Sequence, residues 1–434
     1  MIQRENPDSA LQVASANGDE QAVQLLLENG ADVNEEGGYH GNALQAAALK
    51  GHDRIVELLL DYGADVNAQG AIFSANPLYA ACCGGHDRIV QRLLEKGANV
   101  NAQRGLYDNA LQTAAGMGHV QVVQRLLDNG ADVNIQGGLW GTALQAASGI
   151  GNYNLVQLLL DRGADVNVLE GGRGTALKAA AGMGKDQVVR LLLDHGADVN
   201  ANADGTALIT AASGGHTQIV EMLLEKGADV HLQGGELHNA LQAASLNGDL
   251  QIVKRLLGEG ADINAQGGLY WTPLTAASSK RHDQVVRFLL ANGADVNQHG
   301  DGKYGNALYA ASFMGAEEIV QLLLDHGANI NAYGGEFGNA LQVASLYWRD
   351  NVVQQLLENA ADPFGKGYFE NALAAARHTG SDSIPWIEKK KAGKIKMKRS
   401  PGCPMHYIRR RGNGVRVIQL LSSAMQLPVS SSTR

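Results

Sequence analysis

Asn109–Asn134 reads NALQTAAGMGHVQVVQRLLDNGADVN. Asn109 stands where a helix N-cap is expected, ahead of the short alanine-rich run Ala110–Ala115. Gly118 ends that first helix, because glycine enters the left-handed region without a Cβ clash. Val122, Val123, Leu126 and Leu127 then form one apolar stripe at helical period, which predicts a second helix. Gly130 closes it, and Asp132-Val133-Asn134 leads into a glycine-rich turn. So small a helix pair cannot cover its own apolar face and needs a copy of itself on either side.

Copies fill most of the chain. Gly-Ala-Asp-Val-Asn or a near variant begins at Gly30, Gly63, Gly97, Gly130, Gly163, Gly196, Gly227, Gly260, Gly293 and Gly327, with a worn version at Ala360. Seven of the ten gaps are 33 residues, two are 34 and one is 31. The matching first helices open at Ala10, Ala43, Pro77, Ala110, Ala143, Ala176, Ala207, Ala240, Pro273, Ala307, Ala340 and Ala372.

Period and motif together resemble the ankyrin-repeat family, whose signature is T-P-L-H-x-A. Thr272-Pro273-Leu274-Thr275-Ala276-Ala277 is the nearest match; elsewhere Asn or Thr keeps the cap, Ala replaces Pro, and Gln usually replaces His. The resemblance covers roughly residues 8–380. It implies an all-α repeat solenoid of helix-turn-helix units joined by β-hairpin fingers. About twelve units are expected, ending near 34, 67, 101, 134, 167, 200, 231, 264, 297, 331 and 363, the twelfth being partial. The short gap before Gly227 predicts a notch at Asp204. Trp348-Arg349 stands where Gly-His is usual, which predicts a distorted or longer first helix in the eleventh unit.

The net charge of −9 is unevenly divided: residues 386–434 hold twelve Lys or Arg against one acid, Glu388. The array is therefore more acidic than the whole chain, and direct nucleic-acid binding by it is not expected. The polar start, MIQRENPDSALQ, predicts no secretory leader. No apolar run approaches the ~20 residues of a membrane span, and three cysteines make neither a disulfide framework nor a zinc pattern. An intracellular protein, cytoplasmic or nuclear, monomeric and without membrane attachment, is expected.

Catalytic sets independent of the repeat are not visible. His52, His86, His119, His216 and His282 recur at one register, so they read as helix-end hydrogen bonds serving each unit. Gly182-Met183-Gly184-Lys185 approaches a phosphate loop, but Ala179 and Asp186 stand where Gly and Ser/Thr are needed. A non-enzyme without cofactor or metal is expected.

The positions that vary carry the functional reading. Three residues before each first helix stand His40, Ser74, Tyr107, Trp140, Arg173, Asp204, Leu237, Tyr270, Tyr304, Phe337 and Phe369; six of the eleven are aromatic, in a chain with 5% aromatics. The resemblance implies that finger tips and first helices line a concave groove for protein partners. Tyr107, Trp140, Arg173, Tyr270, Tyr304, Phe337 and Phe369 are therefore the candidate binding residues, with packing between fingers as the alternative role of the rings. Near the end of the first helices, Met117, Ile150 and Met183 add an adaptable apolar floor or a partly buried packing strip.

After Gly380 the repeat fails. Lys389, Lys390, Lys391, Lys394, Lys396, Lys398 and Arg399 read as a nuclear-import candidate or as a solvated tail, within a basic segment spanning residues 381–434. Two stretches compete to complete the last unit: Ser381–Ile387, and Val415–Leu421, which matches the second-helix pattern beyond a basic insertion. The expected function is a protein-interaction scaffold or adaptor. A nuclear transcription coregulator is the alternative, and the sensing array of an innate-immunity-type receptor system a lesser one.

Overall fold

The computed structural model describes residues 9–37, 41–69, 76–103, 109–138, 141–169, 174–300, 303–365, 367–378, 387–388, 396–397 and 411–426. The chain divides into two compact units, Met1–Asp229 and Val230–Arg434. Among the described residues the first unit holds seven helix pairs, from Ala10–Asn17 with Glu20–Glu28 to Ala207–Gly214 with Thr217–Glu225. The second unit holds four, from Ala240–Asn247 with Leu250–Gly258 to Ala340–Leu346 with Asp350–Glu358, followed by the single helices Ala372–His378 and Arg411–Gln426.

Each first helix starts on an Asn, Thr or Ser whose side chain accepts the backbone N–H three residues on; Asn42 Oδ1 does so from Gln45 at 2.9 Å. Such a cap satisfies one of the donors that every helix start leaves open. Within each unit, first helices pack on first helices and second helices on second helices. Leu44, Ile55 and Leu59 in the first unit and Leu274, Val286 and Leu289 in the second are almost wholly buried. A single pair would expose much of this surface, so burial comes from stacking.

Gln completes the stacking where the resembled family places His. Gln145 Oε1 accepts from Thr142 N at 2.6 Å, and its Nε2 donates to Val168 O at 3.1 Å and Gly174 O at 2.7 Å in the following finger. One side chain thus closes a capping box and ties the next repeat. Gln12, Gln112, Gln242 and Gln342 repeat the tie. The finger carbonyls share these amides with the backbone: Gly141 O accepts from both Gln112 Nε2 and Gly137 N, and Trp271 O from both Gln242 Nε2 and Gly267 N. Only Tyr333–Gly334 and Gly338–Asn339 pair as a finger ladder among the described residues. Gly37–Gly41, Gly137–Gly141 and Gly267–Trp271 make single bridges.

A second tie runs through Asn. Asn67 Nδ2 donates to Gly97 O at 3.1 Å, and its Oδ1 accepts from Asn99 N at 2.8 Å. The same pattern recurs at Asn134 in the first unit and Asn297 in the second.

The recurring histidines make the third. His52 Nε2 lies 3.1 Å from Ala16 O, His86 Nε2 3.1 Å from Leu49 O, and His282 Nε2 3.0 Å from Leu246 O. A carbonyl only accepts, so Nε2 carries the hydrogen. The bond closes the end of the preceding repeat's first helix rather than the histidine's own.

In the eleventh repeat the expected distortion is absent. The helix Ala340–Leu346 has an ordinary length of 7 residues. Trp348 takes the left-handed turn at φ 53° in place of glycine. Its indole Nε1 donates to Ala376 O at 3.2 Å, and Arg349 Nε donates to Phe313 O at 3.1 Å where a histidine would act. These bonds hold both side chains of the turn to neighbouring repeats, and Arg281 takes the same left-handed turn two repeats earlier, at φ 63°.

At the C-terminal end, Arg411–Gln426 packs against Asp350–Glu358 and Ala372–His378. Val417 and Leu421 are fully buried there. Arg416 reaches Asp350 Oδ2 at 3.2 Å and Gln354 Oε1 at 3.0 Å. Residues 381–386 of the competing Ser381–Ile387 stretch lie outside the described residues, and Ile387 belongs to a two-residue strand.

Candidate protein-binding surface

Side chains that vary between repeats stand on the fingers and on the first helices. In the second unit they form one connected set of rings. Tyr270 and Tyr304, from successive fingers, stack with centroids 5.4 Å apart and planes 6° apart. Tyr304 then meets the edge of Phe313, on a first helix, at 5.8 Å, and Phe313 meets Tyr347, just past the end of the next first helix, at 4.6 Å. Phe337 touches Tyr347 at 6.3 Å and Tyr368 at 6.0 Å, and Tyr368 lies 5.0 Å from Phe369. Offset-stacked and edge-to-face pairs at such spacings are favourable because the ring quadrupole prefers them.

The rings are neither core nor free surface. Tyr270, Tyr304, Phe313, Phe337, Tyr347 and Phe369 are half-buried, and Tyr368 is 50% exposed. Full exposure of Tyr270 and Tyr304, the simplest expectation for binding residues, does not hold, because each covers one face of the other. Packing between fingers and an accessible aromatic surface coexist here. Burial raises the Tyr270 phenol above its ordinary range, and Glu236 of the preceding finger adds to the effect.

Tyr309 has a different task. It is buried, its hydroxyl accepts from Phe337 N at 3.2 Å, and burial holds its phenol protonated far above the ordinary range. It occupies the position of the tying Gln and fixes the finger that carries Phe337.

In the first unit, the apolar strip is accessible. Met117 is 54% exposed, Met183 53% and Ile150 37%, so each is partly accessible and partly packed. Tyr107, Trp140 and Arg173 lie outside the described residues, as do Lys389, Lys390, Lys391, Lys394, Lys398 and Arg399. Lys396 lies in the short strand Lys396–Met397, paired antiparallel with Ile387–Glu388. The Asp204 turn is present, with φ 54°, and its carbonyl accepts from Lys178 Nζ at 2.8 Å.

Phe313 and Tyr368 were missed in the sequence. Phe313 was legible as the one phenyl ring at a first-helix register that elsewhere holds Ala, Leu, Cys, Gly, Ser or His. Tyr368 precedes Phe369 in a finger whose length departs from the others, which hid its register.

In one of the histidine-Asp pairs the carboxylate is bound to an arginine. Asp87, after His86, accepts Arg125 Nε and Nη2, both at 2.6 Å. Those hydrogen bonds hold its carboxyl below the usual range against partial burial. Among the described residues no group of three or more His, Cys, Asp or Glu could hold a metal ion, and no helix is long and apolar enough to cross a membrane.

A family model described as ankyrin repeats (3 copies) matches residues 1–70, 69–137, 142–234 and 240–334. Among solved structures, the human ASB11 ankyrin repeat domain is 30% identical, covering 51% of this chain and 99% of that one at a TM-score of 0.46. No curated protein matched. With the family model covering more than half of its length, the chain belongs to the ankyrin-repeat family, whose repeats generally mediate protein–protein interaction and are typically non-enzymatic.

Proposed function

We propose that the chain is a non-enzymatic scaffold that holds a protein partner against its fingers and first helices. The connected rings from Tyr270 to Phe369 carry this reading. A protein that needed these rings only for packing would gain by burying them, yet all remain partly accessible. Large rings with few rotatable bonds lose little entropy on binding and are frequent interface anchors. Met117, Ile150 and Met183 support a second contact area in the first unit, since methionine adapts to varied apolar partners.

The test is a triple variant, Tyr270→Ala, Tyr304→Ala, Phe369→Ala, used as bait beside the unaltered protein. The variant is expected to keep its helical circular dichroism and to lose the captured partner. Unchanged capture by the folded variant contradicts the proposal.

The lysine run Lys389–Arg399 favours a second reading, a nuclear coregulator acting through a bound transcription factor. A fluorescent fusion is expected in the nucleus, and replacing Lys389, Lys390 and Lys391 with Ala is expected to return it to the cytoplasm. Cytoplasmic residence of the unaltered fusion removes this reading.

A further inference from the structure

The ring set has a charge pattern of its own. Glu336 precedes Phe337 and Glu370 follows Phe369, and both glutamates are exposed. Exposed Glu236 is brought to Tyr270 by the preceding finger, whose Glu236 O accepts from Leu269 N at 3.0 Å. Glu236 acts electrostatically on Tyr270 at one end of the ring set, and exposed glutamates flank Phe337 and Phe369 in the sequence at the other. The middle already carries a cation: Lys303 Nζ lies 5.5 Å from the centroid of the Tyr304 ring. Among the described finger residues of this unit there are three glutamates, Glu236, Glu336 and Glu370, and one lysine, Lys303.

Aromatic faces and carboxylates together suit one type of side chain. The ring quadrupole attracts a cation, and a planar guanidinium can stack on a ring while its edge pairs with a carboxylate. A lysine ammonium gains the charge but not the planar stack. An acidic segment would meet the glutamates with like charge.

We propose that the Tyr270–Phe369 ring set, with Glu236, Glu336 and Glu370, is a docking surface for an extended arginine-bearing segment of a partner protein. This rests on the scaffold reading above and specifies its partner by charge. Guanidinium groups stack against the outer rings at both ends, and the glutamates set the spacing between them. Because the glutamates are solvated, the attraction is reduced by salt.

Peptides of known composition test it, with the full-length protein in a calorimeter. The probe is an acetylated, amidated Arg-Gly-Gly repeat; its partner is the same peptide with citrulline, which keeps the shape and loses the charge. The arginine peptide is expected to bind at least about tenfold more tightly than the citrulline peptide, and less tightly as sodium chloride rises. Glu236→Gln, Glu336→Gln, Glu370→Gln should remove most of that difference with little change in melting temperature. Glu28→Gln, Glu95→Gln, Glu225→Gln, which removes equal charge from the first unit, should leave it intact.

Equal binding of the two peptides, absence of binding by the arginine peptide, or equal loss in both glutamine variants overturns the proposal. The scaffold reading is judged separately by partner capture with the Tyr270, Tyr304 and Phe369 triple variant. Loss of capture there, alongside failure of the arginine peptide, retains an aromatic protein interface and rejects only its cationic ligand.

Discussion

The two compact units use one repeat and tie it in different ways. In the first, ion pairs join successive second helices: Arg54 with Glu20, Arg92 with Glu57, Lys96 with Asp61, Arg125 with Asp87, Arg162 with Asp128 and Lys226 with Asp194. In the second, amides take much of that role. Asn351 Nδ2 donates to Glu317 Oε1 at 2.8 Å, and Gln355 Nε2 to Gln321 Oε1 at 2.9 Å. Among its described residues, the charged tie between helices is that of Arg416, on the C-terminal helix Arg411–Gln426, with Asp350. The opposite face differs as well: exposed Met and Ile in the first unit, a connected set of rings in the second. The backbone tolerates either, because core Leu, Val and Ile and the His, Gln and Asn ties fix each repeat before the variable positions are reached. Variation outside those positions is free to serve partners.

If the units share a core and differ in their ties, equivalent core truncations should cost the same. Leu159→Ala in the first unit and Leu323→Ala in the second should each lose about 2–5 kcal/mol. Urea unfolding with a probe in each unit checks this, and a large inequality would place the difference in the core instead.

The next effect is confined to the second unit. Tyr270→Leu with Tyr304→Leu removes the stacked pair while keeping apolar bulk. It should cost about 0.5–1.5 kcal/mol beyond the change in buried area, by a similar amount in low and high salt.

The smallest effect belongs to the first unit and depends on salt and pH. Asp87→Asn should cost up to about 1 kcal/mol at low salt, as partly exposed ion pairs do, and less at high salt. The folded state holds the Asp87 carboxyl below its ordinary value of 3.8. Its contribution is therefore complete above the unfolded pKa and lost as pH falls through the folded one. The unaltered protein should lose more stability than Asp87→Asn between about pH 5 and pH 2. Identical acid profiles would show that the Arg125 pair contributes nothing.

Much of this was legible in the sequence for a physical reason. Helix pairs follow from apolar period and glycine punctuation, both local signals, and the finger aromatics stood out against a chain poor in rings. What the sequence hid depends on distance along the chain. The acceptor for His52 is Ala16, and the acceptor for His86 is Leu49. Nothing near either histidine reveals that its bond belongs to the preceding repeat. Trp348 shows the same limit. Its missing glycine predicts distortion, yet the indole bond to Ala376 and the guanidinium bond of Arg349 to Phe313 preserve the turn. The mutual stacking of Tyr270 and Tyr304 was equally hidden, since the spacing predicts neighbouring fingers but not the direction of each ring.

The central claim is that partners are held on the finger and first-helix side. A photo-crosslinking amino acid placed singly at Tyr368, at Met183 and at second-helix Glu221 tests it most directly, in cells that express the protein. Crosslinks to a common protein from Tyr368 or Met183, with none from Glu221, are the predicted result. Crosslinks from Glu221 alone would place the partner on the second helices and contradict the account.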